Sequence, residues 1–319
     1  MTGTTIISEL ELELTVAERQ ECADGVVSLR LELPDGGDLP AWTPGAHVDL
    51  LLGDDLVRQY SLCGDPTDRG QWRVGVLLEP ESRGGSVAVH ALTEGALVRA
   101  RGPRNHFSLV PSPRYVFIAG GIGITPLLPM IGQVAASGAE WHLYYGGRSL
   151  STMAFRDELA EHGDRVTFVP ADEMGPIDLA SILGEPQADT VVYTCGPEGL
   201  LGAVEQKCEA WPDGALHLER FSGLPIDDSD NAAFEVELER TGITLEVGPE
   251  QSVFEVVREA GVSVLGSCLE GICGTCETEV LGGEIDHRDS VLDDEERESN
   301  ELMMICVSRC KGDRLKLDL

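Results

Sequence analysis

Positive charge is what this chain most clearly lacks. Its 319 residues include 23 Lys and Arg, only three of them lysine, against 56 Asp and Glu, for a formal net charge of -33. Such a surface repels phosphate backbones and anionic membrane faces, which excludes nucleic acid and lipid headgroups as partners and favours a basic one. The same acidity also serves solubility. Long apolar runs are missing too: no stretch reaches the 18 or so residues of a membrane span. The opening MTGTTIISELELELTVAERQ has no basic region followed by an apolar one of the kind that directs export, so a cytoplasmic protein is expected. There is no regular disulfide framework either. Nine cysteines are irregularly spaced, and in a reducing cytoplasm clustered thiols read as metal ligands or reactive groups. No Ser-His-Asp triad, catalytic metal site or Cys-His nucleophile pair offers a direct way to oxidise an organic substrate. No internal repeat is visible.

The length exceeds what one core usually serves, so several domains are expected. Residues 1-110 read as short alternating strands broken by Gly, Pro and Asp, including ISELELELTVA, VVSLRLELP and HVDLLL, which suggests an antiparallel barrel. Over 111-225 the rhythm becomes strand, glycine turn, helix, the signature of a parallel sheet covered by helices. Residues 226-233, within SGLPIDDSDNAA, have linker composition. Residues 234-319 open with a hairpin pattern, FEVELERTGITLEV, and a short helix with Val253, Val256, Val257 and Ala260 on one face. The predicted class is multidomain α+β.

The last segment holds the most specific motif. In SCLEGICGTCETEV, Cys268, Cys273 and Cys276 have the spacing C-x4-C-x2-C, and Cys306 follows after 29 intervening residues. This is the plant-type arrangement in which four thiolates hold a [2Fe-2S] cluster. Gly271 and Gly274 let the loop wrap closely and aim N-H groups at the sulfurs. A zinc site would more often pair two short knuckles, and here the fourth thiol stands alone. Cys306, in the apolar run LMMICVS, is preferred as fourth ligand to Cys310 at a polar turn, with presentation from a strand expected.

Two further signals concern nucleotides. YVFIAGGIGITPLL runs from an apolar strand into Gly120, Gly121 and Gly123, with Thr125 and Pro126 placed to cap and start a helix, so that a pyrophosphate could meet backbone N-H groups. VVYTCGPEGLL repeats the logic at Cys195, Gly196 and Pro197, and both strand ends should share one sheet edge. An isolated Cys195 also reads as a small buried residue. In the first segment, Arg58, Gln59, Tyr60 and Ser61 in RQYSL, and Arg83, Gly84, Gly85 and Ser86 before a helix, read as two anion sites or as ordinary surface charge. A nicotinamide surrenders two electrons as hydride and a [2Fe-2S] cluster takes one at a time, so a flavin is expected between them.

In order along the chain, RQYSL, RGGS, GGIGITP, YGGRS, CGPEGL, HLERF and CLEGICGTC…ICVS resemble the phthalate dioxygenase reductase type of the ferredoxin-NADP reductase superfamily over essentially the whole length. The resemblance implies a Greek-key flavin barrel, an NAD-binding α/β domain and a β-grasp ferredoxin domain. It implies flavin contacts for Arg58, Gln59, Tyr60 and Ser61, with Arg83, Gly84, Gly85 and Ser86 near its phosphate. NAD(P)H would meet Gly120, Gly121, Gly123, Thr125, Pro126, Arg148, Cys195, Gly196 and Pro197. Glu219 and Phe221 would lie near the flavin edge, and Cys195, Glu219 and Ser61 would be the catalytic residues. FMN is preferred to FAD because no adenine site is visible. NADH is preferred to NADPH because only Arg148 and Arg156 follow YYGGRS and no basic cluster appears. The implied activity is electron delivery from NADH through FMN and the cluster to a terminal oxygenase, a Rieske non-haem iron enzyme or else a cytochrome P450, with a basic docking face; a non-catalytic ferredoxin-like carrier or flavin sensor is the alternative. A monomer fits a diffusing donor.

Overall fold

The computed structural model describes residues 10-53, 56-80 and 82-319. The start of the expected first strand, residues 7-9, lies outside them. The chain forms two compact units that meet in sequence at Glu219 and Arg220. The expected barrel and nucleotide segments therefore share one unit.

The first unit opens with β1 (Glu11–Ala23), β2 (Val26–Glu32), β3 (His47–Leu51), β4 (Val57–Ser61), β5 (Trp72–Leu77) and, after α1 (Gly85–His90), β6 (Leu97–Arg104). These antiparallel strands lie in the order β4-β3-β6-β1-β2-β5. A bridge between Leu62 and Val74 links the segment after β4 to β5. Alternate apolar residues, among them Leu14, Val16, Leu29, Leu31, Val48 and Leu50, fill one core. Asp49 is fully buried in β3 and takes hydrogen bonds of 3.0 and 2.8 Å from Arg101 and 2.6 Å from Arg104. Burial opposes its charge, but the two guanidiniums prevail and hold its carboxyl below the usual carboxylate range.

The same unit continues with β7 (Arg114–Gly120), α2 (Ile124–Ser137), β8 (Glu140–Gly147), α3 (Arg156–Ala160), β9 (Val166–Pro170), α4 (Ala171–Met174), α5 (Leu179–Leu183), β10 (Thr190–Cys195), α6 (Glu198–Cys208) and β11 (Leu216–Glu219). All five strands are parallel, in the order β11-β10-β7-β8-β9. Phe117, Tyr145 and Tyr193 pack with α2 residues Ile124, Leu127 and Ile131, while Ile118 and Val192 pack with Leu179, Leu183 and Val204. The barrel joins this sheet through a glycine hole. A Cβ on Gly75 of β5 would stand 2.9 Å from both Phe155 and Thr125. Arg73 lies over the Phe155 ring at 5.1 Å and pairs with Glu158 at 3.0 Å.

The helix start differs from the expected one. A short 3-10 turn, 121–123, precedes α2, whose N-cap is Gly123 with no side-chain capping bond. Thr125 is instead buried, its hydroxyl donating to the Ile122 carbonyl at 3.0 Å and its methyl facing Gly75. Pro126 falls in the first helical turn, where a missing N-H removes no helical bond.

The second unit contains β12 (Phe234–Leu238), β13 (Ile243–Val247), α7 (Val253–Glu259), β14 (Glu277–Gly282), β15 (Ile285–Asp286), α8 (Asp294–Ser299), β16 (Leu302–Met304), β17 (Arg309–Cys310) and β18 (Arg314–Leu317). A five-stranded sheet, β13-β12-β18-β14-β16, has its only parallel pairing among the described residues between β12 and β18. Its core includes Phe234, Val236, Leu315 and the α7 residues Val253, Phe254, Val256 and Val257. Ser252 and Glu255 form a capping box that starts α7. Ala260 is exposed at the C-cap instead of sharing the apolar face, because the helix ends one residue earlier. The chain is a multidomain α+β protein.

Candidate functional site

Two strand ends create the nucleotide edge. β7 and β10 are parallel neighbours with Ala119 opposite Cys195, so the Gly120 turn and the Gly196-Pro197 turn emerge side by side. They are packed directly together: a Cβ on Gly120 would stand 2.7 Å from Pro197 Cδ, and one on Gly123 only 2.3 Å from the Cys195 carbonyl oxygen. These glycines are therefore required by backbone packing in their own right. Gly121 is different. Its φ is +55° and open space surrounds the position a Cβ would take, so here the left-handed backbone is the reason for glycine. That open space at the strand end suits the close approach of a dinucleotide to the turn. Arg148 follows β8, and its carbonyl accepts a bond from the Asp172 N-H at 3.1 Å.

Barrel and sheet meet chemically at Ser61, Cys195 and Glu219. Cys195 and Glu219 are partners in the β10-β11 ladder, and the Ser61 hydroxyl at the end of β4 is hydrogen-bonded to the Glu219 carboxyl. Ser61 and Cys195 are buried, and although Glu219 keeps some accessible surface, its Oε2 is enclosed and has no hydrogen-bond partner. Burial pushes the Glu219 carboxyl up to about 8, against a smaller opposing pull from Ser61. Burial also raises the Cys195 thiol well above its ordinary value, and the Glu219 carboxylate adds to this once it ionises. Cys195 is thus a neutral, unreactive thiol at neutral pH.

The β4 residues supply the rest of the barrel site. Arg58 does not extend freely: its Nη1 donates to the Val57 carbonyl at 2.8 Å and its Nη2 to the Arg83 carbonyl at 2.9 Å. Its stem fills the space beside Gly85, where a Cβ would come within 2.4 Å of Arg58 Cγ. Gly84 takes φ +94° as the N-cap of α1. The Ser86 hydroxyl accepts from the Glu79 N-H and donates to Ser82 Oγ. Arg58 and the turn 83-86 are therefore one structure, where the sequence reads two separate sites. Tyr60 is half-buried, and burial raises its phenol to about 12. Gln59 Nε2 is enclosed without a partner. Buried donors and acceptors normally find partners. Unpartnered Gln59 Nε2 and Glu219 Oε2 in one unit fit a hydrogen-bonding ligand such as a flavin ring.

In the second unit, four thiols converge. Cys268 interacts with Cys273 and with Cys306, and Cys306 with Cys276. The Glu270 N-H reaches Cys268 Sγ at 3.3 Å and the Thr275 N-H reaches Cys273 Sγ at 3.5 Å, so the loop presents donors to sulfur. Gly271 and Gly274 adopt φ +68° and +71°. The neighbouring Cys268 and burial push the Cys273 thiol upward, so it needs a nearby cation to ionise. This donor set fits a [2Fe-2S] cluster. Cys306 lies in the turn after β16, not on a strand: Met304 ends the ladder, and its carbonyl receives the Val307 and Ser308 N-H groups. Cys310 sits elsewhere, on β17 opposite Ile285, and its sulfur accepts from the Gly312 N-H.

Sequence reasoning missed Thr275, whose hydroxyl lies 3.3 Å from Cys273 Sγ; its place inside the motif was the available signal. It also missed the left-handed Leu269, φ +57°, which no residue type announces. Phe221 is 39% exposed and belongs to the second unit.

Comparison with known proteins adds to this geometry. Residues 236–311 match the 2Fe-2S iron-sulfur cluster binding domain family, and residues 117–206 match the oxidoreductase NAD-binding domain family. The chain is 43% identical over 300 residues to the phenoxybenzoate dioxygenase subunit beta of Ectopseudomonas oleovorans, covering 93% of this chain and 94% of that protein. An intact type IV self-sufficient cytochrome P450 monooxygenase matches with TM-score 0.92 and 44% identity over all of this chain, which spans 43% of that protein. Phthalate dioxygenase reductase, solved as a structure for electron transfer from pyridine nucleotides to [2Fe-2S], matches with TM-score 0.72 and 35% identity, covering 97% of this chain and 98% of that one.

Proposed function

Because the chain belongs to the phthalate dioxygenase reductase family, we propose that its nucleotide edge, barrel site and cysteine loop act in series, taking hydride from NADH and releasing single electrons to an oxygenase. It is an NAD-dependent oxidoreductase, the reductase component of an oxygenase system. The bound flavin, FMN in our reading, supplies the conversion between two-electron and one-electron chemistry, and the [2Fe-2S] cluster supplies the one-electron exit.

The chain's own residues have distinct tasks. The Gly120 and Gly196 turns receive the pyrophosphate and hold the nicotinamide end toward the barrel. Ser61 positions the Glu219 carboxyl, which keeps its proton up to about pH 8 and offers it at Oε2. Neutral Cys195 packs beside them without presenting a competing charge. Arg58 braces the turn 83-86, where the flavin phosphate is received, and Gln59 and Tyr60 line the ring. Cys268, Cys273, Cys276 and Cys306 hold the cluster.

The observation that carries the reading is the pairing of four thiols around loop N-H donors, in a chain whose other unit unites Ser61, Cys195 and Glu219. Visible spectra of the purified protein before and after NADH test it. Flavin and iron-sulfur absorbance, both bleached by NADH, are expected; absence of either band ends the proposal. Mass spectrometry of the released flavin reads FMN against FAD, and initial rates with the two reduced nucleotides read NADH against NADPH.

We assign a Rieske oxygenase as partner, supported by the similarity to a dioxygenase subunit over nearly the full length of both proteins. The P450 match supports the second reading. Reduction of each acceptor in turn distinguishes them. The net charge of -33 supports steering toward a basic face on the partner, and the cysteines outside the cluster set, none of them disulfide-bonded, support a cytoplasmic site. Among the described residues no helix is long and apolar enough to cross a membrane. Our reading takes the chain as a diffusing monomer.

A further inference from the structure

The residue after the first cluster cysteine is unusual in both backbone and exposure. Leu269 holds φ +57°, a left-handed conformation that is strained for a non-glycine residue. The loop imposes it, because the turn at 269 brings the Glu270 N-H onto Cys268 Sγ. Glycine or asparagine would satisfy that backbone more easily. Leucine stands there instead, 49% exposed, with its Cδ2 over Gly266, where a Cβ would come within 3.1 Å of it and 2.4 Å of the Phe254 ring. Leu265, next to Gly266, is 39% exposed. Leu269 thus forms a braced apolar knob at the ligand loop, and Leu265 exposes further apolar surface one residue before Gly266.

An acidic helix is tied to the same loop. The Ser290 N-H donates to the Gly271 carbonyl of the cluster loop at 2.8 Å, and Arg297 of α8 donates to the Asp289 carbonyl at 2.6 Å. α8, DEERES, is thereby fastened beside the loop with Glu295 and Glu298 exposed. Residues 234-319 carry 21 Asp and Glu against 8 Lys and Arg, so the helix sits in a strongly negative domain.

We propose that Leu265 and Leu269, together with Glu295 and Glu298, are the docking surface for the electron-accepting protein, which presents an apolar centre ringed by Lys and Arg. The inference rests on the relay proposed above. Charge brings the partner in, and the knob holds it against the loop bearing Cys268, where a short path to the cluster favours transfer.

The test uses the full chain with its cofactors, NADH as donor, cytochrome c as a basic protein acceptor and ferricyanide as a small one. Leu269→Asn keeps the left-handed backbone and removes the knob. It should retain the cluster spectrum and ferricyanide rate while raising KM for cytochrome c about tenfold. The double variant Glu295→Lys, Glu298→Lys should lower kcat/KM for cytochrome c several-fold at low salt and flatten its salt dependence. Unchanged cytochrome c kinetics in both overturns the surface. If Leu269→Asn loses its cluster, the double variant decides alone. Failure of the wild-type cluster to bleach with NADH would instead refute the relay, a result separable from the docking kinetics.

Discussion

Glu219→Gln isolates the proton held at the junction of barrel and sheet. The amide keeps the size of the side chain and a partner for Ser61 but cannot ionise. In the folded protein burial carries the carboxyl from its ordinary 4.5 to about 8. At ~1.4 kcal/mol per pH unit, the span corresponds to roughly 5 kcal/mol. The folded state binds this proton more tightly than the unfolded chain, so the stabilisation is complete below about pH 4.5 and is lost as pH rises through about 8. Integrating between about pH 5.5 and about pH 8.5 leaves roughly 3 kcal/mol of loss specific to the wild type. At about 2–4 °C per kcal/mol for a unit of this size, the wild-type Tm should fall by ~6–12 °C more than that of Glu219→Gln over the same interval. Melts of the full chain followed by flavin fluorescence measure the difference, and ionisations common to both proteins cancel. Parallel pH dependence in the two proteins would refute the burial of this carboxyl in its neutral form.

Cys306→Ser should abolish the iron-sulfur absorbance while Cys310→Ser retains it; a cluster surviving in the first variant would move the fourth ligand elsewhere. Asp49→Ala leaves Arg101 and Arg104 without their shared carboxylate and should destabilise the first unit by about 3–5 kcal/mol, read by chemical denaturation. Gly123→Ala drives a methyl into the Cys195 carbonyl and should raise KM for NADH at least tenfold or prevent folding, whereas Gly121→Ala meets only the left-handed backbone and should lower stability by ~1 kcal/mol. Equal effects of the two substitutions would show that turn packing does not separate the glycines.

The periodicities that distinguish barrel, sheet and small domain were plain in the sequence because alternating and helical patterns follow directly from which residues must be buried. Spacing alone also singled out the cysteines, since a covalent cage demands fixed separations. Other features depend on contacts between distant segments. Thr125 looked like a capping residue, yet Gly75, fifty positions earlier, leaves a hole that draws its methyl inward. Arg58 and Gly85 read as separate anion sites because nothing local reveals that the arginine stem occupies the missing side chain's place. Cys306 was placed on a strand by its apolar neighbours, but the turn that carries it is set by hydrogen bonds to Met304. Backbone conformation, as at Leu269, was the least legible feature, since its side chain carries no turn signal.

The missing side chain at Gly75 also has a consequence for building chimeras. Phe155 and Thr125 both occupy the volume it leaves, and Arg73 ties the same strand to Glu158, so a barrel taken from another reductase would have to bring the same void in the same strand. A crossover near residue 110 would separate complementary surfaces, whereas one at the Glu219–Arg220 boundary transfers each complete core with its own packing.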